Sequence, residues 1–302
     1  MKDIKNLTIC IIGSGKVGSA LTFELVEKGF KVRYLVSRNL EHLQKIAKSI
    51  INIAFSDKLE IEFIKKSDII IICIQDKFIY DFVSKLKNTG LNYYGKFIFH
   101  TSGFLSSDVF KNVKISKNNI GSFHPVQTFN KISFKKSNLF KGIYWGIEAG
   151  NELRKVLINI SRALNSNYIL IPKKDKHMYH FACVYSSNFL VTYLKILDTM
   201  ISDTKIKPIK NIEIFLPIIR QTLNNIEQNG FSKSLTGPFV RKDFRIIEGH
   251  LKYLKKNSPE IIPLYLCFGK CAIDISSINN PFSNSELSEL EKIFKKYNNN
   301  LI

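Results

Sequence analysis

IIGSGKVGSAL, residues Ile11 to Leu21, sets three glycines, Gly13, Gly15 and Gly18, in the spacing G-x-G-x-x-G. An apolar run, Leu7 to Ile12, leads into it, and an amphipathic stretch that stops at Gly29 leads out. Glycine spacing alone is a weak signal; between a strand and a helix it is a strong one. Gly13 suits a tight turn, Gly15 lets a backbone approach a bound anion, and Gly18 lets helix and strand pack closely. The helix N-terminus beyond it offers unpaired N–H donors to phosphate. Ser14, Lys16 and Val17 complete the turn, which is therefore read as a dinucleotide-binding element opening a Rossmann-like domain.

Outward from this turn, short apolar runs alternate with amphipathic ones: Lys31 to Val36, Ile69 to Ile74, Lys96 to His100, Asn119 to Phe123, Ile143 to Ile147 and Tyr168 to Ile171. Alternation of this kind predicts βαβ units and a parallel sheet, whose doubly buried strands read as nearly continuous Ile and Val. After Pro172 the pattern turns helical over Lys176 to Ile201, Lys210 to Gln228, Phe239 to Leu254, Glu260 to Ile275 and Ser285 to Tyr297. The expected architecture is an α/β Rossmann-like parallel sheet domain over 1–172, followed by an all-α domain over 173–302 for substrate and dimerisation. With 302 residues, two domains are the default.

The chain carries 45 basic against 25 acidic residues, a net charge of +20. Only seven of the basic residues are arginine, and the lysines are scattered in ones and twos with no basic block or interleaved aromatics. We read this charge as compositional bias that favours solubility and anionic ligands, with no specific nucleic-acid partner. Five scattered cysteines form no C-x-x-C pair, which predicts no zinc site and a reducing, cytoplasmic setting. No segment offers the roughly 18 uninterrupted apolar residues of a membrane span, and the first apolar run has no cleavage signature.

The second strand, KVRYLV, ends in Ser37-Arg38-Asn39, and the first acid beyond it is Glu41. An NAD site places an acid near here for the ribose hydroxyls. Ser37 and Arg38 suit a 2′-phosphate instead, because a guanidinium makes paired hydrogen bonds to phosphate. NADP is the expected cofactor. The missing acid also argues against a methyltransferase.

Together with IIGSGKVGSAL, the segments ICIQDKFI (72–79), HTSG (100–103), GSFHPVQTF (121–129), KHMYHFACVYSSNFLVTYL (176–194) and LTGPFVRKD (235–243) resemble a family of NADP-dependent oxidoreductases. In that family a Rossmann-like domain precedes a helical domain of unknown function, number 2520. The layout is more distantly similar to prephenate dehydrogenases and pyrroline-5-carboxylate reductases. The resemblance implies Gln75 and Asp76 at the cofactor, a small-molecule substrate and a homodimer. Gln75 stands where the family usually has proline, and Lys242 where it usually has glycine.

Hydride chemistry on a carbonyl or imine needs a proton donor or acceptor beside the substrate heteroatom, and histidine titrates in the right range. His100-Thr101-Ser102-Gly103 and His124-Pro125 both fall at strand ends, where open α/β sheets bind ligands. Pro125 restricts His124 to extended backbone. The resemblance to the His-Pro motif of prephenate dehydrogenases points to His124 as acid–base group, with Ser102 orienting it or the substrate. His100 is a candidate substrate contact or a strand cap. At 100° per residue, His177 and Asn188 fall on one helix face with His180 beside them; Asn188 joins the catalytic candidates and His180 the substrate-binding ones. Gly237-Pro238 is read as a helix start, with Arg241 and Arg245 one turn apart, making Thr236 and Arg241 candidate anion contacts. The functional expectation is an NADP(H)-dependent oxidoreductase acting on a small anionic carbonyl or imine compound; the alternative is an NADP(H)-binding regulator without turnover.

Overall fold

The computed structural model describes residues 4–131, 138–202 and 211–298. Lys210, at the head of one expected helix, lies outside them. The chain forms two compact units, Met1–Phe189 and Leu190–Ile302.

The first unit is built on eight strands: β1 (Thr8–Ile12), β2 (Lys31–Val36), β3 (Ala54–Ser56), β4 (Ile69–Ile72), β5 (Phe97–His100), β6 (Ile120–Val126), β7 (Tyr144–Ala149) and β8 (Asn167–Leu170). They lie in the order β3-β2-β1-β4-β5-β6-β7-β8. Its helices are α1 (Lys16–Glu27), α2 (Leu40–Ser49), α3 (Ile61–Lys66), α4 (Ile79–Asn88), α5 (Asn151–Ala163) and α6 (Lys176–Val184), the last followed by a π-helical turn, Tyr185–Phe189. The first six strands reproduce the 3-2-1-4-5-6 order of a doubly wound fold, so the strand order reverses between β1 and β4.

Why these segments are central strands follows from their side chains. All four residues of β4 are isoleucine and fully buried, and each contributes about 1.5–3 kcal/mol over an exposed position. Period-two alternation sends Ile9 and Ile11 of β1 into the core layer shared with Leu21 and Leu25 of α1. Cys10 and Ile12 enter the opposite layer with Val83 and Leu86 of α4.

The parallel reading needs one correction, since β7 runs antiparallel to β6, with His124 opposite Gly146. No helix is described between those strands, and an antiparallel pair needs none. The sheet is mostly parallel. Strand β3 escaped the pattern because it has three residues and two of them are exposed.

The second unit contains α7 (Leu190–Ser202), α8 (Leu216–Asn229), α9 (Phe231–Ser234), α10 (Phe244–Asn257), α11 (Ile262–Ser277) and α12 (Asn284–Asn298). Its core joins Ile247, Leu251 and Leu254 of α10 to Ile262 and Leu266 of α11 and Leu290, Phe294 and Tyr297 of α12, at the three-to-four-residue spacing of one helix face.

A second correction falls here. Helix α10 starts at Phe244, capped by the Asp243 carboxylate, which accepts from the Ile246 N–H (3.1 Å). Pro238 is therefore not a first helical residue, and Arg241 precedes the helix that carries Arg245. Lys242 explains the break: its φ of +56° is the left-handed backbone that glycine adopts without strain. Its ammonium is tied to the Pro281 carbonyl (2.8 Å) and to Glu286 (3.0 Å).

Candidate active site

The glycine turn closes as its spacing predicts. Gly13 has φ +108°, and its N–H donates to the Val36 carbonyl at 2.7 Å. A Cβ on Gly13 would lie 2.9 Å from the Cys73 carbonyl carbon and 3.0 Å from Ile74 Cγ2, and one on Gly18 would strike the Gly13 carbonyl oxygen. Gly15 is the contrast. It precedes α1 without a side-chain cap, and a Cβ built on it meets nothing within 4 Å. The first N–H groups of α1 thus border open space. Lys16 is exposed and Val17 half-buried at the same turn.

Strand β2 delivers the second cofactor element. The Ser14 hydroxyl bonds the Ser37 hydroxyl at 2.7 Å, tying the turn to the β2 end. The Arg38 guanidinium lies 4.7 Å from the centre of the Phe78 ring, and the Lys77 ammonium 4.9 Å from the same ring. Two cations thus gather at one aromatic ring near the strand-order reversal, where open α/β sheets bind their ligands. Gln75 and Asp76 are exposed on the loop after β4.

Beyond β5 and β6 lies a second group. The Ser102 hydroxyl donates to Asp76 at 2.6 Å and accepts from the Phe104 and Leu105 N–H groups (3.1 and 2.9 Å), so it shapes the 102–105 turn. His100 is fully buried: Nδ1 accepts from the Ser102 N–H (3.2 Å), and Nε2 meets the Ser106 carbonyl (3.3 Å). Burial pushes its pKa down to about 3, leaving a neutral ring engaged through both nitrogens. His124 sits inside β6, and its Nδ1 pairs with the Tyr179 phenol at 2.8 Å. A Cβ on Gly103 would come within 2.9 Å of His124 Nε2 and 2.6 Å of His180 Cδ2, so both rings lean over that glycine. Burial first, then electrostatic repulsion from Lys176 and His180, pushes the His124 pKa down to about 4.

Sequence reasoning missed two residues here. Lys176, read as one lysine of a basic joint, is 1% exposed and donates to Ser122 Oγ (2.6 Å) and the Ser102 carbonyl (3.2 Å). Burial lowers its pKa to about 8 against the pull of Glu148 and Asp76. Tyr179, one turn further along α6, reaches His124 because Gly146 has no side chain; a Cβ there would strike the phenol oxygen. The available signal was the helical offset of three between Lys176 and Tyr179, beside two histidines.

The structure brings Gly13, Ser14, Gly15, Lys16, Val17, Gly18, Ser37, Arg38, Gln75, Asp76, His100, Ser102, His124, His180 and Asn188 into the first unit. The shared face of His177 and Asn188 does not carry over, because the π-helical turn breaks the 100° phase before Asn188. His177 instead stacks on Phe104, with ring centres 4.4 Å apart. Asn188 is exposed, and its amide oxygen accepts from the Ser187 hydroxyl at 2.8 Å. Thr236 and Arg241 are exposed residues of the second unit. Among the described residues no cluster of His, Cys, Asp or Glu is arranged to hold a metal, and no helix is long and apolar enough to cross a membrane.

Strand order, glycine turn and strand-end groups define a Rossmann-like nucleotide domain of the kind oxidoreductases use. Residues 8–92 match the family model described as NADP oxidoreductase coenzyme F420-dependent, and residues 143–271 match that of a domain of unknown function, DUF2520. Many solved structures share the fold. A Thermotoga maritima protein is 22% identical over 89% of this chain and 98% of its own, with a TM-score of 0.70. A Bacteroides fragilis protein, named as a candidate NADP oxidoreductase, is 22% identical over 89% and 99%, with a TM-score of 0.66. The pyrroline carboxylate reductase of Plasmodium falciparum, solved with NADP bound, is 12% identical over 98% of both chains, with a TM-score of 0.56. A prephenate dehydrogenase from Aquifex aeolicus shares the fold as well. No curated protein matches the chain.

Proposed function

We propose that this protein is an NADP(H)-dependent oxidoreductase that moves hydride to or from a small anionic carbonyl or imine compound. The observation that carries the proposal is the pairing, within one unit, of an open glycine turn flanked by Arg38 and Lys77 with a histidine on β6 whose Nε2 leans over Gly103. The match to the NADP oxidoreductase model over residues 8–92 supports the same reading.

The residues fit the cofactor. Gly15 leaves the α1 N-terminus open to a pyrophosphate, and a Cβ there would fill that approach. Arg38, Lys77 and Ser37 hold the 2′-phosphate, while Gln75 and Asp76 border the cofactor. When bound, the nicotinamide supplies or accepts the hydride. His124, neutral at physiological pH, meets the substrate heteroatom through Nε2. Ser102 keeps the 102–105 turn beneath it in shape, and His180 lines the same space. His100, with both nitrogens taken by backbone groups, supports that turn rather than the substrate. Asn188 is a further polar group on the helical segment that carries His180. The charge excess of the chain favours anionic substrates, and Thr236 and Arg241 are proposed anion contacts within the second unit.

The active form is a homodimer in the cytoplasm. Its supporting feature is an exposed apolar stripe, Met178, Phe181, Tyr185 and Phe189, spaced three or four residues apart.

The test is turnover of NADPH with a panel of small 2-oxo acids and cyclic imines by wild type and His124→Ala. The proposal expects at least one substrate, retained NADPH binding in the variant, and a rate loss of about 10²-fold or more. NADPH binding without any turnover sensitive to His124 would favour the regulator, and no NADPH binding at all would refute both.

A further inference from the structure

His124 faces its surroundings through two different nitrogens, and among the described residues only one has a hydrogen-bond partner. Nδ1 lies 2.8 Å from the Tyr179 phenol, and among the described residues no hydrogen bond is made to Nε2, which leans over Gly103. A phenol has one proton to give, so where it goes decides which ring nitrogen carries the proton of a neutral imidazole. The phenol has a second neighbour, the Cys183 thiol, one turn further along α6. Thiol sulfur is a weak acceptor and an imidazole nitrogen a strong one. The phenol O–H is therefore given to Nδ1.

We infer that Tyr179 is a positioning residue that fixes His124 as the Nε2–H tautomer, so that the ring meets its substrate as a hydrogen-bond donor. The inference rests on reading His124 as the group that meets substrate, and it sharpens that reading: a neutral Nε2–H ring presents a hydrogen-bond donor, the kind of group that polarises a C=O or C=N heteroatom. The position is constructed rather than incidental. Gly146, directly across the β6–β7 pair from His124, is the residue whose missing side chain admits the phenol. Burial and repulsion from Lys176 and His180 on α6 hold the ring neutral, and His100 on β5 is itself uncharged. Burial keeps the phenol protonated, so it remains a donor.

The experiment is long-range proton–nitrogen NMR of the full-length protein labelled on histidine nitrogen, with His124 assigned by the signals that His124→Ala removes. The inference expects His124 protonated on Nε2 from about pH 6 to 8 in wild type. Tyr179→Phe should give a mixture of tautomers and a raised titration midpoint, while Cys183→Ala should leave the Nε2–H form in place. Protonation of Nδ1 in wild type overturns the inference, as does a Tyr179→Phe spectrum identical to wild type. Should Tyr179→Phe fail to fold, the wild-type tautomer alone decides. These signals need neither cofactor nor substrate, so an inactive protein with the Nε2–H ring would sink the oxidoreductase reading and leave this one standing.

Discussion

Adding one methyl group at Gly15 separates what the glycine turn does for the fold from what it does for a ligand. Gly15 has φ −72° and ψ −167°, backbone open to any residue, and nothing lies within 4 Å of the added carbon. Gly15→Ala should therefore leave the free protein as stable as wild type, or more stable by about 0.4–1 kcal/mol through lost unfolded-state freedom. The same methyl group stands where a pyrophosphate would approach the α1 N–H groups. Hydrogen bonds to a charged partner are worth about 1.5–3 kcal/mol, so Kd for NADPH should rise by about 10- to 150-fold. Gly13→Ala supplies the opposite case, since its Cβ runs into the Cys73 carbonyl and its φ is +108°. That variant should lose about 2–5 kcal/mol of stability from overpacking and left-handed strain together. Thermal melts of the free proteins and fluorescence titrations with NADPH measure both quantities. Binding by Gly15→Ala within about twofold of wild type would refute the reasoning, as would melting alongside Gly13→Ala.

Gly146→Ala should cost about 2–4 kcal/mol in urea unfolding, because its Cβ lies 2.6 Å from Ile171 Cδ1 and displaces the phenol bonded to His124; a loss under about 0.5 kcal/mol would contradict that packing. Arg38→Ala should weaken NADPH and leave NADH unchanged, which paired titrations would reveal. His100 and His124 have folded pKa values of about 3 and about 4, below the unfolded value. The unfolded chain therefore binds more protons as pH falls below about 6.5, and stability is lost from there down to about pH 4 for His124 and about pH 3 for His100. At pH 5 each histidine accounts for about 2 kcal/mol of that loss, so His124→Gln should narrow the gap between urea midpoints at pH 7 and pH 5 by that order.

The nucleotide half of the fold was legible because its signals are local. The isoleucine runs of β1 and β4 and the glycine spacing at 13, 15 and 18 each follow from a few adjacent residues. The antiparallel turn of β7 left no such mark, since Tyr144–Ala149 is as apolar as a parallel strand and direction lies in the connection. In the helical half, apolar periodicity located α11 and α12 to within two residues, yet the start of α10 was missed because Lys242 takes a backbone that lysine rarely adopts. For the site, the His-Pro step drew attention to His124, which lies inside β6 with its Nδ1 on the Tyr179 phenol. Its partners were hidden: Tyr179 lies 55 residues away, admitted by an absent side chain at Gly146, and Lys176 is buried by contacts to Ser102 and Ser122 that no spacing encodes.

The most direct test of the account is a crystal structure of the protein with NADP. It predicts pyrophosphate at Gly15, the 2′-phosphate between Arg38 and Lys77, and the nicotinamide facing His124 Nε2 across a space that fits one small molecule. A nicotinamide turned away from His124, or a dinucleotide bound elsewhere on the chain, would contradict it.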